Sequence, residues 1–134
     1  MTVVPLKQRD LFTKRWRNVT ALDPSELGIH IALVARLRYE LRDDVLWFHV
    51  PNGEHRDKRT AAKLKAMGVL PGVADLVFDS GREILYLELK APGRTMSEAQ
   101  RQFKARAQRA GRYYAVAHSV NEAINMLHLH RLMK

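Results

Sequence analysis

The stretch Val73-Ala74-Asp75-Leu76-Val77-Phe78-Asp79-Ser80-Gly81-Arg82-Glu83-Ile84-Leu85-Tyr86-Leu87-Glu88-Leu89-Lys90 decides how this chain is read. Two runs rich in β-branched, aromatic and leucine residues, Val73 to Asp79 and Glu83 to Lys90, flank the turn signal Ser80-Gly81. They are expected to pair as a β-hairpin. With a loop of two or four residues, Asp75 is expected opposite Tyr86, which makes Glu88 its diagonal neighbour on the same face, roughly 7–8 Å away between backbones. A three-residue loop would reverse that parity unless a bulge restored it. Alternation along the second strand puts Glu88 and Lys90 on one face and Leu85, Leu87 and Leu89 on the other.

Burying Asp, Glu and Lys on a strand whose opposite face is all leucine is costly unless the charges are paired or bind a metal. Taken alone, Glu88-x-Lys90 reads as an exposed strand face carrying a Glu–Lys pair. Asp75, thirteen residues before Glu88 and preceded by Pro71-Gly72, turns the pattern toward a metal site. Hard oxygen donors at this separation suit Mg²⁺ or Mn²⁺.

These residues, Pro71-Gly72-x-x-Asp75-Leu76 followed by Glu88-Leu89-Lys90, resemble the catalytic signature of the PD-(D/E)XK nuclease superfamily, and within it the virus-type replication-repair nuclease (VRR-NUC) domain. The likeness runs from about Ser25 to Ile124 and takes in Glu26, Asn52-Gly53, Gly68-x-x-Pro71-Gly72 and Ser97-x-x-Gln100. It departs at position 74, where the family usually has proline and this chain has Ala74, a loss of backbone rigidity and not of a ligand. The resemblance implies a restriction-endonuclease-like core and metal-dependent hydrolysis of DNA. It implies Asp75, Glu88 and the backbone carbonyl of Leu89 as metal ligands, with Glu26 joining them directly or through water. Lys90 is implied as the group that positions or deprotonates the attacking water or stabilises the transition state, and Gln100 as a further catalytic residue. His30, one helical turn beyond Glu26 where the family often carries Gln, is expected to orient Glu26 or to touch substrate.

With 134 residues the chain is expected to be a basic N-terminal arm, 1–22, followed by a single domain, 23–134. Without cysteine, neither disulfides nor thiolate metal sites exist. No apolar run approaches eighteen residues, and the start of the chain lacks the hydrophobic stretch of a signal peptide. A cytoplasmic protein is expected, in bacteria or, if phage-encoded, in the host. Twenty-three Lys and Arg against fourteen Asp and Glu give a formal charge of +9, which favours a polyanionic partner. Asn52, Arg56, Lys58, Arg59, Arg94, Arg101 and Lys104 are expected to meet the DNA, with recognition resting on backbone shape and not on base sequence. Relatives in the resembled family include structure-selective and junction-cleaving nucleases, so branched DNA cut by a homodimer is the expected action, the contact made by the arm or by the final helix with Leu127, Leu129 and Leu132. A restriction-like endonuclease and a catalytically silent DNA-binding module are the alternatives.

Asp23-Pro24-Ser25-Glu26 reads as a helix start with Asp23 as N-cap and Glu26 closing a capping box. The helix should run to about Arg42, with Glu26 heading the stripe of Ile29, His30, Leu33 and Leu37. A strand from Val45 to Val50, a basic helix from Arg56 to Met67 closed by Gly68, the hairpin, a helix capped by Thr95 or Ser97, a strand from Arg112 to Ala117 and a last helix to about Leu132 complete the order. A small mixed β-sheet flanked by helices, an α/β fold, is the simplest packing. His49, His118, His128 and His130 show no acidic partner at ligand spacing, and the pairs Trp47-Phe48 and Tyr113-Tyr114 are expected in the core.

Overall fold

The computed structural model describes residues 25–51 and 57–134. Its elements are α1 (Glu26–Glu40), β1 (Leu46–His49), α2 (Lys58–Ala66), β2 (Leu76–Asp79), β3 (Ile84–Leu89), α3 (Glu98–Arg109), β4 (Tyr113–Ala117) and α4 (Val120–Leu129). The hairpin between β2 and β3 turns one residue later than Ser80-Gly81 implies. Ser80 N–H donates to the Glu83 carbonyl at 3.0 Å, which leaves Gly81-Arg82 as the two-residue loop. Gly81 has φ of 81°, as the first central position of a primed hairpin turn requires. Asp79 Oδ1 accepts from the Gly81 N–H at 2.8 Å and Ser80 Oγ from the Glu83 N–H at 3.1 Å, so side chains hold the turn there. The consequence is a corrected register: Val77 pairs with Tyr86 and Leu76 with Leu87, so Asp75 does not face Tyr86. Parity is kept, because moving a turn centre by one residue shifts the pairing by two.

The chain divides into two compact units. In the unit that holds β1, β2 and most of β3 and β4, the strands lie in the order β1-β2-β3-β4. β1 with β2 and β2 with β3 are antiparallel. β4 is reached from β3 through the α3 crossover, the connection that parallel neighbours need, and the sheet is mixed. Phe103 and Ala107 of α3 pack on buried Ala74, with Tyr86 edge-on to Phe103 at 5.0 Å. Of the aromatic pairs expected in the core, one ring of each is half-buried and the other is exposed. Trp47 stacks on Phe78 at 6.3 Å and Tyr114 packs near Phe103, whereas Phe48 and Tyr113 are each 47% exposed. Successive strand residues point to opposite faces, which separates the two rings of each pair.

In the other unit α1 packs on α4, and the chain end returns to pair Met133 with Leu41. Ile29, Leu33 and Leu37 of the α1 stripe are buried, as are Leu127 and Leu132. That corrects the reading of the final helix as a free contact surface, since of its three leucines only Leu129 is exposed. Ser25, not Asp23, is the N-cap of α1: its hydroxyl accepts from the Gly28 N–H at 2.9 Å. Glu26 is then the first helical residue and no capping box closes through it; Asp23 and Pro24 lie outside the described residues. The helix ends at Glu40, whose carboxylate is taken up by Arg36 at 2.6 and 2.8 Å and held below the usual carboxylate range by that bond.

Candidate active site

Asp75 sits one residue before β2, at the end of a turn built by Pro71 and Gly72. Gly72 has φ of 78°, the value a type II turn demands at the position after proline. Continuing the β2–β3 register one step beyond Leu76 and Leu87 brings Asp75 level with Glu88. The two carboxylates are direct cross-strand neighbours, closer than the diagonal pair expected. Each offers an oxygen within 4.8 Å of the other's. A divalent ion binds oxygens at about 2.0–2.6 Å, so a pair at this separation could share one. Glu88 is only 2% exposed. A buried carboxylate persists where charge makes up for the lost hydration, and a shared cation does so with the right donor chemistry.

Gln100 supplies the neutral part of that compensation. Its amide Nε2 donates to Glu88 Oε1 at 2.8 Å, while its Oε1 accepts from the Ser97 N–H at 2.8 Å and its own N–H donates to Ser97 Oγ at 3.2 Å. The capping box of α3 therefore also orients the amide that holds Glu88. Ser97 is the cap, not Thr95. Gln100 thus reaches from the first turn of α3 to Glu88 on β3. Gly72 makes the approach of α3 possible. A Cβ there would lie 2.3 Å from the Ala99 carbonyl oxygen and 2.7 Å from Gln100 N.

The field of the two carboxylates is felt by Tyr114. Its hydroxyl is buried without a hydrogen-bond partner, and its pKa is pushed well above the ordinary tyrosine value, first by burial and then by the negative charges of Glu88 and Asp75.

His49 is the residue that sequence reasoning missed. Its Nδ1 lies 2.7 Å from the Asp75 carbonyl oxygen, which also accepts from the Val50 N–H at 2.9 Å. A ring nitrogen of His49 and a carboxylate oxygen of Asp75 come within 4.8 Å. The proximity comes from the β1–β2 register, which pairs His49 with Leu76 across 27 positions of sequence. Only a prediction of that pairing could have found it. His118 also has an acidic partner, since Glu122 accepts from its backbone N–H and lies 3.5 Å from its Nδ1.

The remaining candidates are placed as follows. Glu26 is exposed in the first turn of α1, and His30 is half-buried one turn on. Leu89 is buried at the end of β3, and half-buried Lys90 follows it with its N–H on the Ala117 carbonyl at 2.9 Å. Lys58 and Arg59 are exposed on α2, and Arg94 is exposed in the loop before α3. Arg101 is engaged locally, with Glu98 Oε2 at 2.9–3.0 Å and the Met96 carbonyl at 2.6 Å, and Lys104 is half-buried. Asn52 and Arg56 lie outside the described residues. Among the described residues no helix is long and apolar enough to cross a membrane.

No family model matches the sequence, and no curated protein matches it. A solved structure described as a "VRR_NUC domain protein" does match in three dimensions, with a TM-score of 0.63 and 21% identity, over 78% of this chain and 85% of that one. The mixed sheet with its helices is thus an α/β fold similar to that of a VRR_NUC domain protein.

Proposed function

We propose that this protein is a Mg²⁺- or Mn²⁺-dependent nuclease that hydrolyses DNA phosphodiester bonds by attack of water on phosphorus. The observation that supports it is Glu88, a carboxylate at 2% exposure, level with Asp75 and held by the Gln100 amide. Asp75, Glu88 and the Leu89 carbonyl would hold the ion, with Glu26 as a third acidic ligand, direct or through water. Glu26 suits that role because the Ser25 cap leaves its carboxylate outside any capping box. When bound, the ion supplies Lewis-acid polarisation of the phosphate, a more acidic attacking water and relief of charge on the leaving oxygen. Lys90 positions or deprotonates that water, or holds negative charge on the phosphoryl oxygens. Gln100 keeps Glu88 oriented, and His30 orients Glu26.

The substrate we assign is branched duplex DNA read by shape, in the cytoplasm. The net charge of +9 supports a polyanion, and Lys58, Arg59 and Arg94 are exposed and available to phosphate. Paired incision of a symmetric four-way junction requires two copies of one site, hence a homodimer on that substrate.

The test is direct. Purified protein is incubated with branched and linear DNA in Mg²⁺, Mn²⁺ or EDTA. Cleavage of branched DNA with either ion, abolished by EDTA and by Asp75→Ala with binding retained, is the expected result. Binding without cleavage in every metal would leave a DNA-binding module, and cleavage at one short linear sequence would point to a restriction-like enzyme.

A further inference from the structure

The segment from Lys58 to Leu70 is built unlike the rest of the chain. Every other helix among the described residues buries an apolar stripe, while α2 buries no residue at all. A nine-residue helix is marginal in water on its own, so local devices hold it. Asp57 caps the start, its carboxylate accepting from the Thr60 N–H at 2.7 Å. At the other end Gly68 N–H donates to the Lys65 carbonyl and Val69 N–H to the Leu64 carbonyl, both at 3.0 Å, with Gly68 at φ 96°. That pattern is a Schellman motif, which gives the turn after the helix a defined shape.

What this segment presents is unusual in two ways together. Between Asp57 and Asp75 there are four cations, Lys58, Arg59, Lys63 and Lys65, and no acidic residue. Directly after them come three exposed apolar residues within four positions, Met67 at 70% and the more sheltered Val69 at 40% and Leu70 at 38%. Exposed apolar groups in such a cluster mark a contact surface. Their occupant is set by charge. A second copy of this chain would bring four cations against four in a two-fold contact, which like charges oppose. A lipid surface needs an apolar helix face, and α2 itself offers only Leu64 among its alanines. A nucleic-acid duplex satisfies both halves, phosphates for the cations and an opened base step for the apolar turn. Five residues further on comes Asp75, so the chain passes from this turn straight to the carboxylates.

We propose that α2 and its C-terminal turn form a DNA-docking element whose Met67, flanked by Val69 and Leu70, enters the gap where base stacking is interrupted at a nick or branch. This rests on the nuclease reading and names its substrate class: duplex DNA with a break in stacking, selected because an intact stack refuses the wedge. Unstacking costs a few kcal/mol per step, least where the step is already broken, so the wedge converts that difference into preference.

The experiment places 2-aminopurine at the branch point of a three-way junction and, in a control, within an intact duplex. Full-length protein is added with Ca²⁺ in place of Mg²⁺. Fluorescence is expected to rise for the junction and not for the duplex. Met67→Ser should lose most of that rise while keeping its affinity for intact duplex, and its melting temperature should match the wild type because the side chain is in solvent. Lys63→Ala with Lys65→Ala should weaken both DNAs and reduce the salt slope by about 2. An equal rise with Met67→Ser, or a wild-type protein that cuts junctions without any rise, overturns the wedge and leaves the nuclease standing. A Met67-dependent rise in a protein that cuts nothing in Mg²⁺ keeps the wedge and removes the nuclease. Binding of this segment to anionic vesicles or to a second copy in preference to DNA also overturns it.

Discussion

At the scale of single residues the site depends on groups that serve two purposes. Gln100 closes the capping box of α3 and holds Glu88, so Gln100→Ala should cost about 1 kcal/mol of stability and also weaken divalent-metal binding. Thermal melts in EDTA read the first effect and metal titration the second; intact metal affinity would reduce Gln100 to a cap. Gly72→Ala should be worse, losing at least about 2 kcal/mol, because its Cβ has no room beside the Ala99 carbonyl and its φ is left-handed. Tyr114 gives the pH prediction. Its folded pKa lies above the unfolded value of 10.0, so the neutral phenol is the favoured form in the native state. Its contribution to stability is complete below pH 10 and is lost as pH rises beyond it, where unfolded tyrosine ionises first. Tyr114→Phe should flatten the alkaline arm of stability against pH and leave neutral stability unchanged or raised; an unaltered alkaline arm would contradict it. That Asp75 and Glu88 share one face of the hairpin was legible from the alternation of its side chains, although their pairing was not. His49 was not, because its approach to Asp75 is a property of strand pairing and leaves no local trace.

At the scale of elements, most segments were readable and their ends were not. The α1 stripe of Ile29, Leu33 and Leu37 is buried as helical periodicity requires, yet the N-cap moved from Asp23 to Ser25. Both residues accept hydrogen bonds equally well, and local sequence does not rank two good caps two positions apart. The hairpin shows the same limit. Its parity was readable from alternation, but its register followed the Asp79 and Ser80 side chains that pin Gly81-Arg82 as the loop. The end of α4 closes on a residue that the turn does not favour. Leu132 N–H bonds the Leu127 carbonyl and Arg131 N–H the His128 carbonyl, the closing pattern that favours glycine, yet the left-handed position is Arg131 at φ 58°. Arg131→Gly should raise stability by about 0.5–1 kcal/mol, read by urea denaturation. A loss would mean that the Arg131 side chain contributes more than its backbone costs.

At the scale of the whole molecule the balance of charge and the fold agree. A chain with nine excess positive charges places one carboxylate at 2% exposure and a second beside it, an arrangement that the proposed contact with DNA reconciles only if a cation mediates it. DNA binding should therefore weaken steeply with salt, on the order of tenfold or more for a severalfold rise, and should depend little on base sequence. The central claim is that Asp75 and Glu88 together hold a divalent ion. Its most direct measurement is a titration of Mn²⁺ into the protein, followed by the loss of the free-ion electron paramagnetic resonance signal, for wild type and Glu88→Gln. The wild type should bind Mn²⁺ in competition with Mg²⁺, and Glu88→Gln, which keeps the shape and removes the charge, should leave the signal at its free value. Equal Mn²⁺ uptake by the two proteins would contradict the account.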